Sequence, residues 1–165
     1  MENGYKKVTP KDVFITATKA GELKWRVDGG AVVKNRPSGN DFMDTVAHLL
    51  SVHMMQKVWR YEKALGLGAG VLNQITIQCS GMTFLEWRNQ YILLAAKELL
   101  VETDYGLNEI GKRLGFASIN SFSKWFIRTE KEKPIFWRRL AKYHRQQEYE
   151  KALFEVKKGI KQKQI

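Results

Sequence analysis

The amino-acid sequence predicts a mainly α-helical protein in which a long linker helix joins two similar helical subdomains, preceded by a short N-terminal β-meander or arm. Two observations carry this prediction. From Asp41 to the end of the chain, apolar residues recur with a period of about 3.6, which is the spacing of amphipathic helices. Within that region the same helical pattern occurs twice, at a nearly constant offset in the numbering.

The charge of the chain indicates a polyanionic partner. Its 165 residues include 28 Lys and Arg against 17 Asp and Glu, which gives a formal net charge of +11. Such an imbalance costs self-repulsion, and nucleic acid is the first candidate to neutralise it. A membrane surface is the second. Because the basic residues are spread along the chain and do not flank a long apolar segment, we expect no membrane partner.

The N-terminus and the cysteine usage indicate the compartment. Residues 1–10 are polar and basic, and no apolar stretch follows them, which predicts neither a signal peptide nor a transmembrane helix. Cys79 is the single cysteine, so no intrachain disulfide can form, as is typical of a reducing compartment. We expect a cytoplasmic protein.

Three segments are expected along the chain. Residues 1–40 form an arm or a small β-meander with a linker, and residues 144–165 form a basic helical tail. Between them, residues 41–143 form the main domain, with a first unit at about 41–82, the linker helix at about 83–103 and a second unit at about 104–143. The boundary near residue 40 follows the run of turn-forming residues Asn35-Arg36-Pro37-Ser38-Gly39-Asn40.

The expected meander has strands at Val13-Phe14-Ile15-Thr16, Leu23-Lys24-Trp25-Arg26-Val27 and Ala31-Val32-Val33. Three such short strands bury little by themselves, so the segment either packs on the helical part or is only loosely ordered.

Caps and glycines mark the expected helix ends. Gly66 and Gly115 each close a short helix and open a turn. At the start of the linker helix, Thr83 and Glu86 have the spacing of a reciprocal capping box. Ser118 is a good N-cap for the helix that follows the second turn.

The internal repeat predicts two helix-turn-helix units. Leu72 matches Phe122 and Trp87 matches Trp137, both at an offset of 50 residues. Each copy has a short helix, a tight glycine turn and a second helix. The second helix of such a unit projects its outer face away from the core, and that face can enter a groove of DNA.

The outward faces of the two second helices carry groups that suit DNA. In the second copy Phe122 and Phe126 point inward, while the outward set is Asn120, Ser121, Lys124 and Arg128. A lysine can donate to guanine, an amide can pair with adenine, and Arg128 can reach a phosphate. In the first copy the outward set is polar but uncharged: Gly70, Asn73, Gln74 and Gln78.

The linker helix sets the expected distance between the two units. From Phe84 to about Glu102 it spans about 28 Å at ~1.5 Å per residue. This length is close to the roughly 34 Å between successive major grooves on one face of B-DNA. One monomer could therefore address two adjacent grooves.

The second unit carries the most specific sequence stretch. It consists of Ala96-Lys97-Glu98-Leu99-Leu100, Asn108-Glu109-Ile110-Gly111-Lys112-Arg113-Leu114-Gly115-Phe116-Ala117-Ser118, Phe122-Ser123-Lys124-Trp125-Phe126, Pro134 and Arg138-Arg139. This stretch resembles the signature of the AraC family of transcriptional regulators. The resemblance extends from about Asp41 to Arg139.

The resemblance implies a DNA-binding domain with two helix-turn-helix units on double-stranded DNA, nucleoid-associated in a bacterium. The base contacts it implies are Gly70, Asn73 and Gln74 in the first recognition helix and Ile119, Asn120, Ser121 and Lys124 in the second. Contacts to the DNA backbone are expected from Gln78, Arg128, Arg138 and Arg139.

Four positions depart from the family pattern. Thr76 stands where a buried aromatic residue is usual, Ile92 where arginine is common, Gly111 where alanine is usual, and Lys131 where a turn glycine is expected. The first unit is therefore the more degenerate copy, with a packing defect expected at Thr76. We expect the second unit to dominate sequence reading.

The expected partners follow from this resemblance. Larger members of the family carry a separate sensor domain, for which residues 1–40 are too short, so the chain is expected to act alone or to be a fragment of a longer regulator. We expect no small-molecule effector, no cofactor and a monomer on DNA, with RNA polymerase as a possible further contact. A protein-interaction module for an acidic partner and a sequence-independent nucleic-acid binder are the alternatives.

No catalytic or metal-binding arrangement is expected. His48, His53 and His144 share no metal-ligand spacing with one another or with Cys79, which is expected to be a structural thiol. The acidic residues form no paired-carboxylate motif, so we do not expect an enzyme. The basic run after Arg139 is either a solvated helix or a further phosphate contact.

Overall fold

A computed structural model describes residues 6–14 and 35–163, and these residues fold mainly into helices. The helices are α1 (Pro10–Val13), α2 (Asp41–His53), α3 (Val58–Leu65), α4 (Val71–Ser80), α5 (Phe84–Glu102), α6 (Leu107–Arg113), α7 (Ile119–Glu130) and α8 (Pro134–Lys163). The prediction of a mainly helical fold is confirmed. No helix in the described part of the chain is long and apolar enough to cross a membrane.

The first predicted strand is wrong at Val13, which lies in helix α1. The reason is local, because Pro10 occupies the first turn and Thr9 forms a capping box with Asp12, whose Oδ2 accepts from the Thr9 amide at 2.8 Å. The next residue, Phe14, forms an isolated antiparallel bridge with Asn35, and the described residues contain no longer strand. The rest of the predicted meander, including the strands at 23–27 and 31–33, lies outside the described residues.

The helix boundaries follow the predicted caps closely. The Thr83 hydroxyl accepts from the Glu86 amide at 3.2 Å, and the Glu86 carboxylate accepts from the Thr83 amide at 2.9 Å, so the capping box at the start of α5 forms. The Ser118 hydroxyl accepts from the Ser121 amide at 3.1 Å at the start of α7. These caps satisfy amide groups that have no partner within their own helix.

Helix α5 is the centre of the core. It packs against α1, α2 and α4 on one side and against α6, α7 and α8 on the other. Its buried apolar side chains lie around most of its circumference: Phe84, Trp87, Tyr91, Ile92, Ala95, Ala96, Leu99 and Leu100. Because one helix supplies apolar side chains in both directions, the elements before and after it share a continuous core.

The N-terminal segment 6–14 belongs to that core. The Val8 carbonyl accepts from the Trp87 indole at 2.9 Å, and the Val8 amide donates to the Cys79 carbonyl at 3.0 Å. Val13 is fully buried, and the Phe14 ring meets the Tyr91 ring edge-on at 5.6 Å. The sequence left two alternatives for the predicted meander, which were packing on the helical part and loose order. Val13 and Phe14 pack on the helical part.

Candidate nucleic-acid interface

The first helix pair, α3 and α4, is joined by a turn that a buried carboxylate holds. Gly66 ends α3 in the left-handed region at φ +67°. Glu62 of α3 is only 8% exposed, and its Oε1 accepts from the Gly70 amide at 2.8 Å. The start of α4 is therefore tied to α3 by a charged hydrogen bond, which fixes how α4 projects. Sequence analysis missed Glu62, because its spacing to Gly70 matches no standard cap.

Helix α4 separates an inner and an outer face as predicted. Leu72 and Thr76 are fully buried. The Thr76 hydroxyl donates to the Leu72 carbonyl at 2.7 Å, so the residue leaves no unpaired polar group in the core. Gln74 and Gln78 are exposed on the opposite face. Asn73 is half-buried, and its Oδ1 accepts from the Phe84 amide at 3.0 Å, so that oxygen already holds the start of α5.

The second helix pair, α6 and α7, packs more tightly. A Cβ atom on Gly111 would lie 3.2 Å from the Phe122 Cβ atom, which gives a physical reason for glycine where alanine is usual in the family. Phe116 packs against both Phe122 and Trp125, with ring centroids 5.4 and 5.1 Å apart. This aromatic cluster fixes the inner face of α7.

The outer face of α7 matches the prediction. Phe122 and Phe126 are fully buried, while Asn120, Lys124 and Arg128 are exposed. These three side chains follow one another at steps of four residues, so they form one stripe along the helix. The structure therefore presents an amide, an ammonium group and a guanidinium group along the same face.

Ser121 and Ile119 lie at the start of that face but differ in how freely their side chains could contact DNA. The Ser121 hydroxyl donates to the Ser118 carbonyl at 2.8 Å and accepts from the Ser118 amide at 3.1 Å, so it takes part in the N-terminal cap. Ile119 is 40% exposed and offers an apolar contact.

The two arginines at the start of α8 have different surroundings. Arg138 donates through Nε to the Leu100 carbonyl at 2.9 Å and through Nη2 to the Tyr105 carbonyl at 2.7 Å. Its partial burial lowers the pKa of its guanidinium group. Arg139 is exposed. A phosphate contact by Arg138, as predicted, would have to compete with two bonds inside the protein.

Lys131 occupies the turn position where the family usually has glycine. Its φ is +65°, a left-handed conformation that costs a lysine more than a glycine. Its ammonium group donates to the Arg128 carbonyl at 2.9 Å, which satisfies an acceptor near the end of α7.

The loop between α2 and α3 touches the turn between α6 and α7. The Met55 amide donates to the Leu114 carbonyl at 3.0 Å. Arg88 of α5 donates to the carbonyl of Gln56 at 2.9 Å and so holds the same loop. These bonds, together with α5, fix the position of one helix pair relative to the other.

Within residues 6–14 and 35–163, no group of three or more His, Cys, Asp and Glu side chains is placed to hold a metal ion. Cys79 is half-buried, and its carbonyl binds the N-terminal segment through the Val8 amide.

A comparison with protein families finds the same two helix pairs. A family model described as a helix-turn-helix domain matches residues 61–140, which include α4 to α7 whole, together with parts of α3 and α8. The matched family model is of the AraC type. This family is one of DNA-binding transcription regulators, which is not an enzyme class.

Solved structures share the fold of this helix-turn-helix region. The DNA-binding domain of AdpA, a global transcriptional factor solved in complex with a target DNA, is 24% identical, with a TM-score of 0.56 over 64% of this chain and 96% of that chain. The C-terminal domain of the two-component response regulator yesN from Fusobacterium nucleatum is 20% identical, with a TM-score of 0.54 over 62% and 99%.

A third similar structure belongs to a larger protein. The xylose-binding transcription activator xylR is 22% identical, with a TM-score of 0.51 over 66% of this chain and 30% of that chain. No curated protein sequence matches this chain.

Proposed function

We propose that this chain is a sequence-specific transcription regulator that reads two adjacent major-groove segments of double-stranded DNA with helices α4 and α7. The observation that carries the proposal is the exposed stripe of Asn120, Lys124 and Arg128, backed by a fully buried aromatic face. A rigid inner face holds the outer side chains in fixed positions, which direct base contacts require. The net charge of +11 supports a polyanionic partner, and the similar AdpA domain was solved with its target DNA.

The proposed architecture has two reading units joined by α5. The first unit is assigned to about 41–82, the linker helix to about 83–103 and the second unit to about 104–143, with residues 1–40 as an N-terminal arm and 144–165 as a basic tail. At ~1.5 Å per residue, the 19 residues of α5 span about 28 Å, close to the roughly 34 Å groove repeat. The contact between Met55 and Leu114 supports a fixed spacing of the units.

The proposed base contacts differ in strength. Lys124 is assigned to guanine and Asn120 to adenine, because both side chains are exposed. In α4, Gln74 is exposed, whereas Asn73 has only its amide nitrogen left to donate, since its oxygen binds the Phe84 amide. Ser121 serves mainly as a cap. The second unit therefore offers the stronger base reading.

The proposed backbone contacts are Gln78, Arg128 and Arg139, which are all exposed. Arg138 is assigned a different role, because its bonds to the Leu100 and Tyr105 carbonyls hold α8 against the end of α5. By fixing α8, Arg138 places its neighbour Arg139 beside the DNA backbone.

We further propose that one monomer occupies one DNA site, since the two reading units are covalently linked. No small-molecule effector is needed for binding in this proposal, RNA polymerase is the expected protein contact on DNA, and the protein acts in the bacterial cytoplasm on the nucleoid.

The test is selection of binding sites from a random pool of DNA duplexes, followed by mobility-shift titration. The expected result is a preferred sequence with two parts about one helical turn apart. Binding that shows no sequence preference would point to a general nucleic-acid binder, and no binding at all would point to a protein-interaction module; both results would contradict the proposal.

A further inference from the structure

Helix α8 extends well beyond the body of the domain. Its first half is held there by Arg138, Lys142 and Arg145, which make hydrogen bonds or ion pairs with α5 or the loop after it. Every residue from 148 to 163 is exposed. A helix in a protein gains most of its stability from packing its apolar face. An exposed helical segment that has an apolar face therefore lacks a packing partner.

The exposed half of α8 carries one continuous apolar row. Tyr149, Leu153, Val156 and Ile160 are 60%, 38%, 59% and 53% exposed. They follow one another at steps of four, three and four residues, which is the spacing of a coiled-coil seam. Gln146 lies one step before this row and Lys163 one step after it, so polar side chains bound it at both ends.

We propose that this apolar row pairs with the same row of a second copy of the chain, in an antiparallel arrangement of the two helices. Tyr149 of one copy then lies opposite Ile160 of the other, and Leu153 lies opposite Val156. Because the pair has twofold symmetry, each of these layers occurs twice. The polar boundaries also meet, with Gln146 opposite Lys163.

The direction of pairing follows from the face on which the row lies. The row lies on the same face of α8 as Arg138, Lys142 and Arg145, which face the body of the domain. A parallel partner helix on this face would extend into the space that the body of the domain occupies. An antiparallel partner leads away from that space and places the second body at the far end of the pair.

Charges beside the row favour the same direction. Glu150 and Lys157 follow directly after Tyr149 and Val156, so they flank the row on the same side. In an antiparallel pair, Glu150 of each copy lies beside Lys157 of the other, which gives two attractive contacts. Gln146 donates to Glu150 Oε1, and Oε2 remains to accept from the lysine. A parallel pair would instead bring Glu150 to Arg145, which is already bound to Glu102 at 2.9 Å.

The pairing is expected to be weak on its own. A seam of about two heptads buries less than the roughly 1,200 Å² that marks the lower end of stable interfaces. Two copies bound to one DNA molecule have a high effective concentration, so pairing of α8 can join two occupied sites. Each copy still reads its own site as a monomer, so pairing goes beyond the proposed function.

Sedimentation equilibrium of the full chain without DNA tests the proposal, at protein concentrations up to about 1 mM. The wild-type chain is expected to dimerise as its concentration rises. Leu153→Asp is expected to abolish the dimer. The matched control is Phe154→Asp, because Phe154 is 65% exposed but lies outside the row; this variant should still dimerise.

Charge exchange tests the direction and guards against simple loss of the helix. Glu150→Lys and Lys157→Glu should each raise the dimer dissociation constant by about two- to tenfold, and the double variant should restore it. A double variant that fails to regain the wild-type constant overturns the antiparallel register. A wild-type chain that stays monomeric at all concentrations overturns the pairing. The apolar row would then bind a partner of another chemistry.

Discussion

A Cβ atom built on Gly115 would lie 2.8 Å from the carbonyl oxygen of Met55, closer than real Cβ atoms approach other atoms. Gly115 is in the turn between α6 and α7, and Met55 is in the loop between α2 and α3, so this close approach connects the two helix pairs. The adjacent hydrogen bond from the Met55 amide to the Leu114 carbonyl holds the backbones together. Glycine is needed at 115 both for its φ of +86° and for the lack of a side chain.

Gly115→Ala is therefore expected to destabilise the fold more than an ordinary glycine replacement. Gly66→Ala is the matched control, because Gly66 has a φ of +67° and a Cβ atom added there would have nothing within 4 Å. The control should lose about 1–2 kcal/mol from backbone strain alone, whereas Gly115→Ala adds a clash with backbone. Urea unfolding of both variants measures the difference. Equal losses would show that the approach of Met55 does not constrain the turn.

Arg138 and Arg139 are expected to separate stability from DNA binding. Arg138→Ala removes two hydrogen bonds from a charged group to the Leu100 and Tyr105 carbonyls and should cost about 1.5–3 kcal/mol of unfolding free energy. Arg139→Ala removes an exposed side chain and should leave stability within about 0.5 kcal/mol.

Arg139→Ala should instead affect DNA binding. Its loss should weaken binding to all sequences about equally and reduce the slope of log affinity against log salt by about 1, because one phosphate contact is removed. Mobility-shift titrations at several salt concentrations give this slope. An unchanged slope would remove Arg139 from the backbone contacts.

Alkaline pH should destabilise the domain through Tyr61. Burial raises the pKa of Tyr61 to about 12 from its ordinary value of 10. Its hydroxyl donates to the Met54 carbonyl and accepts from the Gln56 amide. Between pH of about 10 and about 12, the unfolded chain has lost this proton while the folded chain keeps it, so the stabilisation falls as pH rises.

Chemical unfolding across that pH range measures the effect. Tyr61→Phe should be less stable at neutral pH, because it loses both hydrogen bonds, but its stability should fall less steeply above about pH 10. Tyr149→Phe is the control, since Tyr149 is 60% exposed. If Tyr61→Phe and the wild type show the same alkaline slope, Tyr61 does not carry the dependence.

The sequence predicted the helical region well because local signals mark its ends. Glycine at 66 and 115 and the caps at Thr83 and Ser118 act over a few residues, so they can be recognised without the fold. The inward and outward faces of α7 were predictable for the same reason, since helical spacing alone separates Phe122 from Lys124.

Contacts between distant residues could not be predicted in this way. Nothing in the local sequence shows that Arg138 binds the Leu100 carbonyl or that Val8 packs on Trp87, because both contacts depend on how the helices pack. The same holds for Asn73, whose oxygen the start of α5 uses. Residues chosen as DNA contacts from the sequence and its family resemblance therefore include side chains that the fold already uses.

The unequal roles that we propose for α4 and α7 give the sharpest prediction about sequence reading. Lys124 is exposed on a rigid face and can donate to guanine, and a good base contact contributes about 1–3 kcal/mol of discrimination. Lys124→Ala should therefore relax the preference at one base pair by that amount. Gln74→Ala should have a smaller effect, because α4 offers uncharged groups and Asn73 is partly used by the fold.

Binding-site selection on both variants decides between base reading and simple phosphate anchoring by Lys124. If Lys124 only binds phosphate, Lys124→Ala lowers affinity for every sequence alike and leaves the selected site unchanged. If Gln74→Ala loses the base preference while Lys124→Ala retains all of it, the first unit is the main reader. That result would also mean that the buried aromatic face of α7 serves stability and not the positioning of base contacts, since a rigid helix alone does not make a reading helix.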